Sequence, residues 1–166
     1  QIGNERVQFT GIERIYGTAG NDIVSAANAT LNAVGGGKPG HGVSIFTGAG
    51  NDRIMGSRFD DVLNGGAGND TINGGAGNDF IHSSTGNDLI NGGPGDENIR
   101  WGIGDVNHNP GHDTINGGAG DDTISGGVGA DALDGGTGNN TLFFGNNAGL
   151  PFSSSATIGV TINLNG

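Results

Sequence analysis

Large aliphatic residues recur along this chain at intervals of nine. Six consecutive nonapeptides fill residues 47–100: TGAGNDRIM, GSRFDDVLN, GGAGNDTIN, GGAGNDFIH, SSTGNDLIN and GGPGDENIR. Four more fill 108–143: HNPGHDTIN, GGAGDDTIS, GGVGADALD and GGTGNNTLF. A single copy, GTAGNDIVS, stands apart at 17–25. The eighth position is Val24, Ile54, Leu63, Ile72, Ile81, Ile90, Ile99, Ile115, Ile124, Leu133 or Leu142, aliphatic in every copy. A period of nine matches neither the helical repeat near 3.6 nor the strand repeat of 2. The glycine-rich sextet must turn, and the triplet after it suits a very short strand with one side chain inward and two outward. Turn, strand, turn, strand then makes an 18-residue coil, and stacked coils bring the aliphatic positions into two facing internal ladders. The pattern predicts an all-β solenoid with two repeats per coil.

The repeat also divides the chain. Residues 1–46 read as an irregular N-terminal cap holding the isolated copy, although Ile15 and Ile45 sit nine residues before Val24 and Ile54. Residues 47–143 form the repeat block, with a seven-residue insertion at 101–107 because Ile99 to Ile115 spans sixteen residues instead of nine. Residues 144–166 read as a C-terminal cap in which ATIGVTINLNG alternates, placing Val160, Ile162 and Leu164 on one face of a strand. The chain starts at Gln1 and is expected to be an excerpt of a longer protein.

Composition makes such a solenoid costly. Of 166 residues 38 are Gly and only 32% are hydrophobic, and ordering a glycine backbone loses more entropy than ordering any other. No cysteine is present to cross-link it. The net charge is −11, which argues against nucleic acid and anionic membranes as partners. No apolar run approaches the roughly 18 residues of a membrane span.

The acids resolve the difficulty. Ten of the 17 occupy the sixth position: Asp22, Asp52, Asp61, Asp70, Asp79, Asp88, Glu97, Asp113, Asp122 and Asp131, with Asn140 in the last copy. Copies i and i+2 lie one strand spacing apart, about 4.8 Å. Asp52, Asp70 and Asp88 therefore form one column, and Asp61, Asp79 and Glu97 the other. Like charges so stacked repel, so the arrangement calls for cations between them. Carboxylates and turn carbonyls are hard oxygen donors, which select Ca²⁺ over the smaller, more strictly octahedral Mg²⁺. A solvated acidic linker has no reason to keep phase over eleven copies.

The phrase G-G-x-G-x-D-x-U-x, with U aliphatic, resembles the nonapeptide of the RTX (repeats-in-toxin) family of haemolysin-type calcium-binding proteins. That resemblance implies a right-handed parallel β-roll binding several Ca²⁺ ions between turns i and i+2. It also implies a bacterial protein passed unfolded through a type I secretion apparatus and folding outside the cell or at its surface. Carried onto this chain, it pairs Asp52 with Asp70, Asp61 with Asp79, Asp70 with Asp88, and Asp113 with Asp131. It makes the carbonyls of Gly48, Gly50, Gly66, Gly68, Gly75, Gly77, Gly118, Gly120, Gly127 and Gly129 supporting ligands. Several departures are visible. Glu97 is a methylene longer and Asn140 lacks charge, so the 79/97 and 122/140 sites are expected to be weaker. Phe59 replaces the fourth glycine in GSRFDD, and Ser83 and Ser84 replace the leading pair in SSTGND. The insertion is expected to interrupt the Asp88–Asp113 column, and Asp22 has no clear partner one coil on.

Other motifs carry less. Asp105-Val-Asn107-His-Asn109-Pro110 begins like an EF-hand loop but has Pro110 where glycine is required and Asn116 where the closing Glu belongs. His108, His112 and Asp113 could suggest zinc, but Pro110-Gly111 precludes a shared helical face, and they read as turn residues. No catalytic constellation separates from the acid ladder, so the module reads as non-enzymatic. Trp101 could stack on a sugar, which keeps open a carbohydrate-binding or adhesion module for polysaccharide or a cell-surface glycan. Ice binding would need flat rows of small residues. The outward rows are mixed, one with Arg53, Thr71 and Leu89, the other with Val62, Phe80 and Asn98. Val62, Phe80 and Leu89 read as places where flanking segments pack.

Overall fold

A computed structural model describes residues 14–29, 41–100, 111–127, 129–143 and 161–163. Within them each x-U-x triplet has become a strand. In chain order the first seven are β1 (Arg14–Tyr16), β2 (Ile23–Ser25), β3 (His41–Ala49), β4 (Arg53–Met55), β5 (Asp60–Ala67), β6 (Thr71–Asn73) and β7 (Phe80–Thr85). There follow β8 (Leu89–Pro94), β9 (Asn98–Ile99), β10 (Thr114–Ala119), β11 (Thr123–Ile124), β12 (Ala132–Asp134), β13 (Thr141–Leu142) and β14 (Thr161–Asn163). Odd-numbered strands make one seven-stranded sheet and even-numbered strands the other, all pairings parallel. The chain crosses between sheets every half coil, giving the expected parallel β-roll.

The eighth positions pair with one another in both sheets. One ladder runs Ile15, Ile45, Leu63, Ile81, Ile99, Ile124, Leu142. The other runs Val24, Ile54, Ile72, Ile90, Ile115, Leu133, Ile162. From Ile45 to Leu133 these side chains are at most 5% exposed and form one continuous core, with Ile15, Val24 and Leu142 partly buried at its ends. The core is one residue deep from each sheet. Outside it, Val62 (39%) and Leu89 (52%) are exposed rather than covered by flanking segments, while Phe80 is half-buried.

The turns stack as tightly as the strands. Gly48 registers with Gly66 and Ala49 with Ala67. Gly66 has φ +90 and Gly68 φ +129, and a Cβ on either would collide with the carbonyl oxygen of Gly48 or Gly50 one coil below. Glycine accepts both that conformation and that approach without steric cost.

Three expectations about the edges change. The boundary drawn at residue 46 falls inside β3, and β1 pairs with β3 as any other coil pairs, so the ladder begins before the consecutive repeats. The insertion does not break the stack: Leu89, Ile90 and Asn91 of β8 register with Thr114, Ile115 and Asn116 of β10. Asp22 does have a partner, because β2 registers with β4 across the intervening residues. In both places the strands on either side stay in phase, since a shift of one would turn every aliphatic side chain outward. The proposed tail strand is present as β14; Val160 and Leu164 lie outside the described residues, as does the segment 101–107.

Ile81 lies at the centre of its ladder with no exposure. Ile81→Ala is expected to lower unfolding free energy by about 2–5 kcal/mol, read from denaturant titration of the folded protein. Leu89→Ala, on the outer face, should stay within about 0.5 kcal/mol; equal losses from both would contradict a core confined to the eighth position.

Candidate metal centre

The residue two places ahead of the buried aliphatic is also buried. Asp52, Asp61, Asp70, Asp79, Asp88, Glu97, Asp113, Asp122 and Asp131 are all 1–4% exposed. Asp22 is half-buried and Asn140 exposed. Stacking places the acids in two columns, and in each column a carboxylate oxygen, Oδ1, accepts the backbone N–H one coil earlier. In the first column Asp52 accepts from Asp22 (2.7 Å), Asp70 from Asp52 (2.8 Å), Asp88 from Asp70 (2.8 Å), Asp113 from Asp88 (2.9 Å) and Asp131 from Asp113 (3.0 Å). In the second, Asp61 accepts from Val43 (2.6 Å), Asp79 from Asp61 (2.9 Å), Asp122 from Glu97 (2.9 Å) and Asn140 from Asp122 (2.9 Å). The sequence separation is 18 within the regular coils, 25 across the insertion (18 + 7) and 30 between Asp22 and Asp52 (18 + 12). The Asp88–Asp113 column is thus continuous, contrary to expectation.

The second carboxylate oxygen, Oδ2, is left over. In Asp52, Asp70, Asp79, Asp88 and Asp122 it is buried without a hydrogen-bond partner, and in Glu97 both carboxylate oxygens are. Burial is the main cause of raised pKa values here, with neighbouring carboxylates adding to it. Asp70 is pushed up to about 6, Asp79 and Asp88 to about 7, and Glu97, beside Asp122, to about 9. Burial likewise raises Asp61, Asp122 and Asp131. Backbone N–H donors oppose the shift at the aspartates, but no cationic side chain does so at Asp70, Asp79 or Asp88. A buried carboxylate without counter-charge is expensive.

The donor set fits a calcium ion. Among the described residues no three His, Cys, Asp or Glu side chains converge, so an ion here would draw on stacked carboxylates and complete its shell with backbone oxygens. Such all-oxygen, irregular coordination suits Ca²⁺. Turn glycines 48, 50, 66, 68, 75, 77, 118, 120, 127 and 129 all have positive φ, between +89 and +156, and share turns with the acids. The carbonyl of Gly118 already accepts Thr137 N–H at 2.8 Å, leaving it one lone pair. Glu97 differs from the aspartates in that neither of its oxygens accepts a backbone N–H; its carboxyl lies beside that of Asp122. His112 is engaged elsewhere, its Nδ1 accepting Ala130 N–H at 2.9 Å. Trp101, Asp105, Asn107 and His108 lie outside the described residues.

The fifth position carries a second set of rungs that the sequence reading passed over. Asn51, Asn69, Asn87 and His112 donate backbone N–H to the side-chain oxygen one coil earlier, on Asn21, Asn51, Asn69 and Asn87, at 2.8–2.9 Å. In the other column Asp60, Asn78, Asp96 and Asp121 accept from Asn78, Asp96, Asp121 and Asn139 at 2.8–3.0 Å. These rungs are exposed and run opposite to the buried ones. Their signal was present: the fifth position is Asn or Asp in nine of eleven copies, His112 and Ala130 being the others.

No curated protein and no solved structure matches the chain. A family model, the RTX calcium-binding nonapeptide repeat, matches in four copies over residues 9–28, 46–81, 76–105 and 109–142, more than half of the 166 residues. With the acids columned, buried and in part short of partners, and the family's repeat matched over more than half of its length, the chain belongs to the RTX calcium-binding nonapeptide repeat family and is a calcium-binding repeat module.

Proposed function

We propose that this module is a calcium-gated folding unit of a larger secreted bacterial protein, without catalytic activity of its own. One observation carries the reading: the row of buried, unpartnered Oδ2 atoms at Asp52, Asp70, Asp79, Asp88 and Asp122. Calcium, when bound, supplies the positive charge and the oxygen coordination that these carboxylates lack. The chain's own residues set the consequence. Without counter-ions the ionised columns repel, and glycine entropy opposes so thin a core. Ion binding therefore becomes folding free energy. Such a chain stays extended where calcium is scarce, as in a bacterial cytoplasm, and passes unfolded through a type I secretion channel. It folds in the calcium-rich exterior, where it gives its parent protein a rigid extension.

Two measurements test this. In EDTA at pH 7 the chain should give a largely coil-like circular dichroism spectrum, and about 1 mM Ca²⁺ should restore β-structure; an unchanged spectrum would sink the proposal.

The second test is pH in the absence of calcium. Asp70, Asp79 and Asp88 rise from 3.8 to about 6, 7 and 7 in the folded state, so the folded form binds protons that the unfolded form has released. Their contribution is fully present below about pH 4 and is lost as pH rises through 6–7. In EDTA, acidification should therefore recover part of the β-signal. At about pH 5, where protonation keeps the ion-free fold, calcium binding should release protons, measurable by calorimetry in buffers of differing ionisation enthalpy. Ion-free stability that climbs with pH would contradict the buried columns.

A further inference from the structure

Two carboxylates are held unlike those of Asp52, Asp70, Asp79, Asp88 and Asp122. Asp61 Oδ2 accepts Ser57 N–H at 2.5 Å, and its Oδ1 accepts the Ser57 hydroxyl at 2.9 Å as well as Val43 N–H. Ser57 Oγ in turn accepts Phe59 N–H at 3.1 Å. The turn before Asp22 repeats the device. Thr18 N–H donates to Asp22 Oδ2 at 2.6 Å, the Thr18 hydroxyl donates to the same oxygen at 3.1 Å, and Gly20 N–H donates to that hydroxyl at 3.1 Å. Neither Oδ2 is left over, in contrast to those of Asp52, Asp70, Asp79, Asp88 and Asp122.

The cause is the backbone at the second position. Where it is glycine, as at Gly66, Gly75 or Gly118, φ is positive, whereas Thr18 and Ser57 are not among the positive-φ residues. A serine alone does not bring this about. Ser84 occupies the same position yet takes φ +74, and Asp88 keeps its unpartnered Oδ2. The turns differ at the fourth position, where Gly86 has φ +133 and the GSRFDD turn has Phe59, whose side chain disfavours the left-handed region. In the other clamped turn the β-branched Thr18 resists it directly.

Among the described residues both clamps sit at the start of a column. Asp61 follows Val43, which has no carboxylate, and Asp22 is the first acid described in the other column. An end carboxylate has an acidic neighbour on one side only, so it has half the partners needed to share an ion. We propose that Thr18 and Ser57 terminate the two ion columns, their N–H and O–H groups satisfying Asp22 and Asp61 in place of calcium. Ion binding then begins with Asp52 in one column and Asp79 in the other. This rests on the calcium reading above and deepens it by assigning which acids take ions.

The test is the dependence of unfolding free energy on the logarithm of Ca²⁺ concentration, whose slope counts ions taken up on folding. Asp70→Asn and Asp79→Asn should each reduce the slope by about one ion, whereas Asp22→Asn and Asp61→Asn should leave it unchanged. Ser57→Ala keeps the carboxylate and removes only the hydroxyl. It should lower the thermal midpoint by a similar amount at every calcium concentration that supports folding, at wild-type slope. The clamp is overturned if Asp61→Asn flattens the slope as Asp70→Asn does, or if Ser57→Ala either alters the slope or leaves the midpoint unmoved. Should Asp61→Asn not fold, the Ser57→Ala line decides alone. A flat line for the unaltered protein would instead overturn the calcium reading itself, and the clamp with it.

Discussion

Everything in this roll follows from stacking one carboxylate above another at the strand spacing of about 4.8 Å. Two unit charges that far apart repel by roughly 3 kcal/mol at an effective dielectric near 20, and the columns repeat that contact at every coil. The same stacking provides the compensation. Asp52, Asp70, Asp88 and Asp79 each accept the backbone N–H of their predecessor and keep a second, buried oxygen without a partner. The ion-free roll is thus poised against itself at neutral pH, while its aliphatic ladders, one residue deep, are too slight to dominate.

The turns, more than the core, fix the register. Nearly identical aliphatic ladders would pack almost as well if one end slipped by a full coil. In the turn, the N–H at position five is held by the coil before, and the N–H at position six by the coil after. Each coil is therefore tied on both sides by side chains that sit beside each other in sequence. What distinguishes one coil from the next is the irregular set: the clamped turns at Thr18 and Ser57, Glu97, the longer sequence separations after β2 and β9, and Asn140. Such local exceptions are what an otherwise degenerate repeat has available to specify a unique alignment.

The sequence shows a large part of this because a fixed period turns local chemistry into position. Phase alone placed Ile54, Ile72 and Ile90 in one ladder and Asp52, Asp70 and Asp88 in one column, as found. Counting failed where extra residues fall between strands that nonetheless pair in register. Asp22 lacked a partner, and Asp113 was cut off, only because separations of 30 and 25 were measured against 18. The fifth-position rungs escaped notice because Asn reads as ordinary turn filler when no partner strand is in view. The Ser57 clamp was invisible for another reason: Ser57 and Ser84 are the same residue at the same position, and only the backbone sign of φ separates their roles. That sign is set two residues on, by Phe59 or Gly86.

A one-dimensional stack is weakest at its ends, since each coil touches only its neighbours and a terminal coil has one. The two columns meet that problem with neutral chemistry. At the N-terminal end, hydroxyl and amide donors surround Asp22 and Asp61. At the other end of the second column Asn140 accepts Asp122 N–H as an aspartate would, at 2.9 Å, without adding a charge. The first column keeps Asp131, whose carboxyl burial raises and the nearby His112 pulls back down. Among the described residues, the column ends at Asp22, Asp61 and Asn140 are thereby relieved without an ion. A terminal carboxylate lacking such relief would be the first to shed its ion and fray, and in a cooperative stack fraying at one end destabilises the coil behind it. The substitutions that look like decay of the repeat at Thr18, Ser57 and Asn140 are thus placed where a perfect repeat would be a liability.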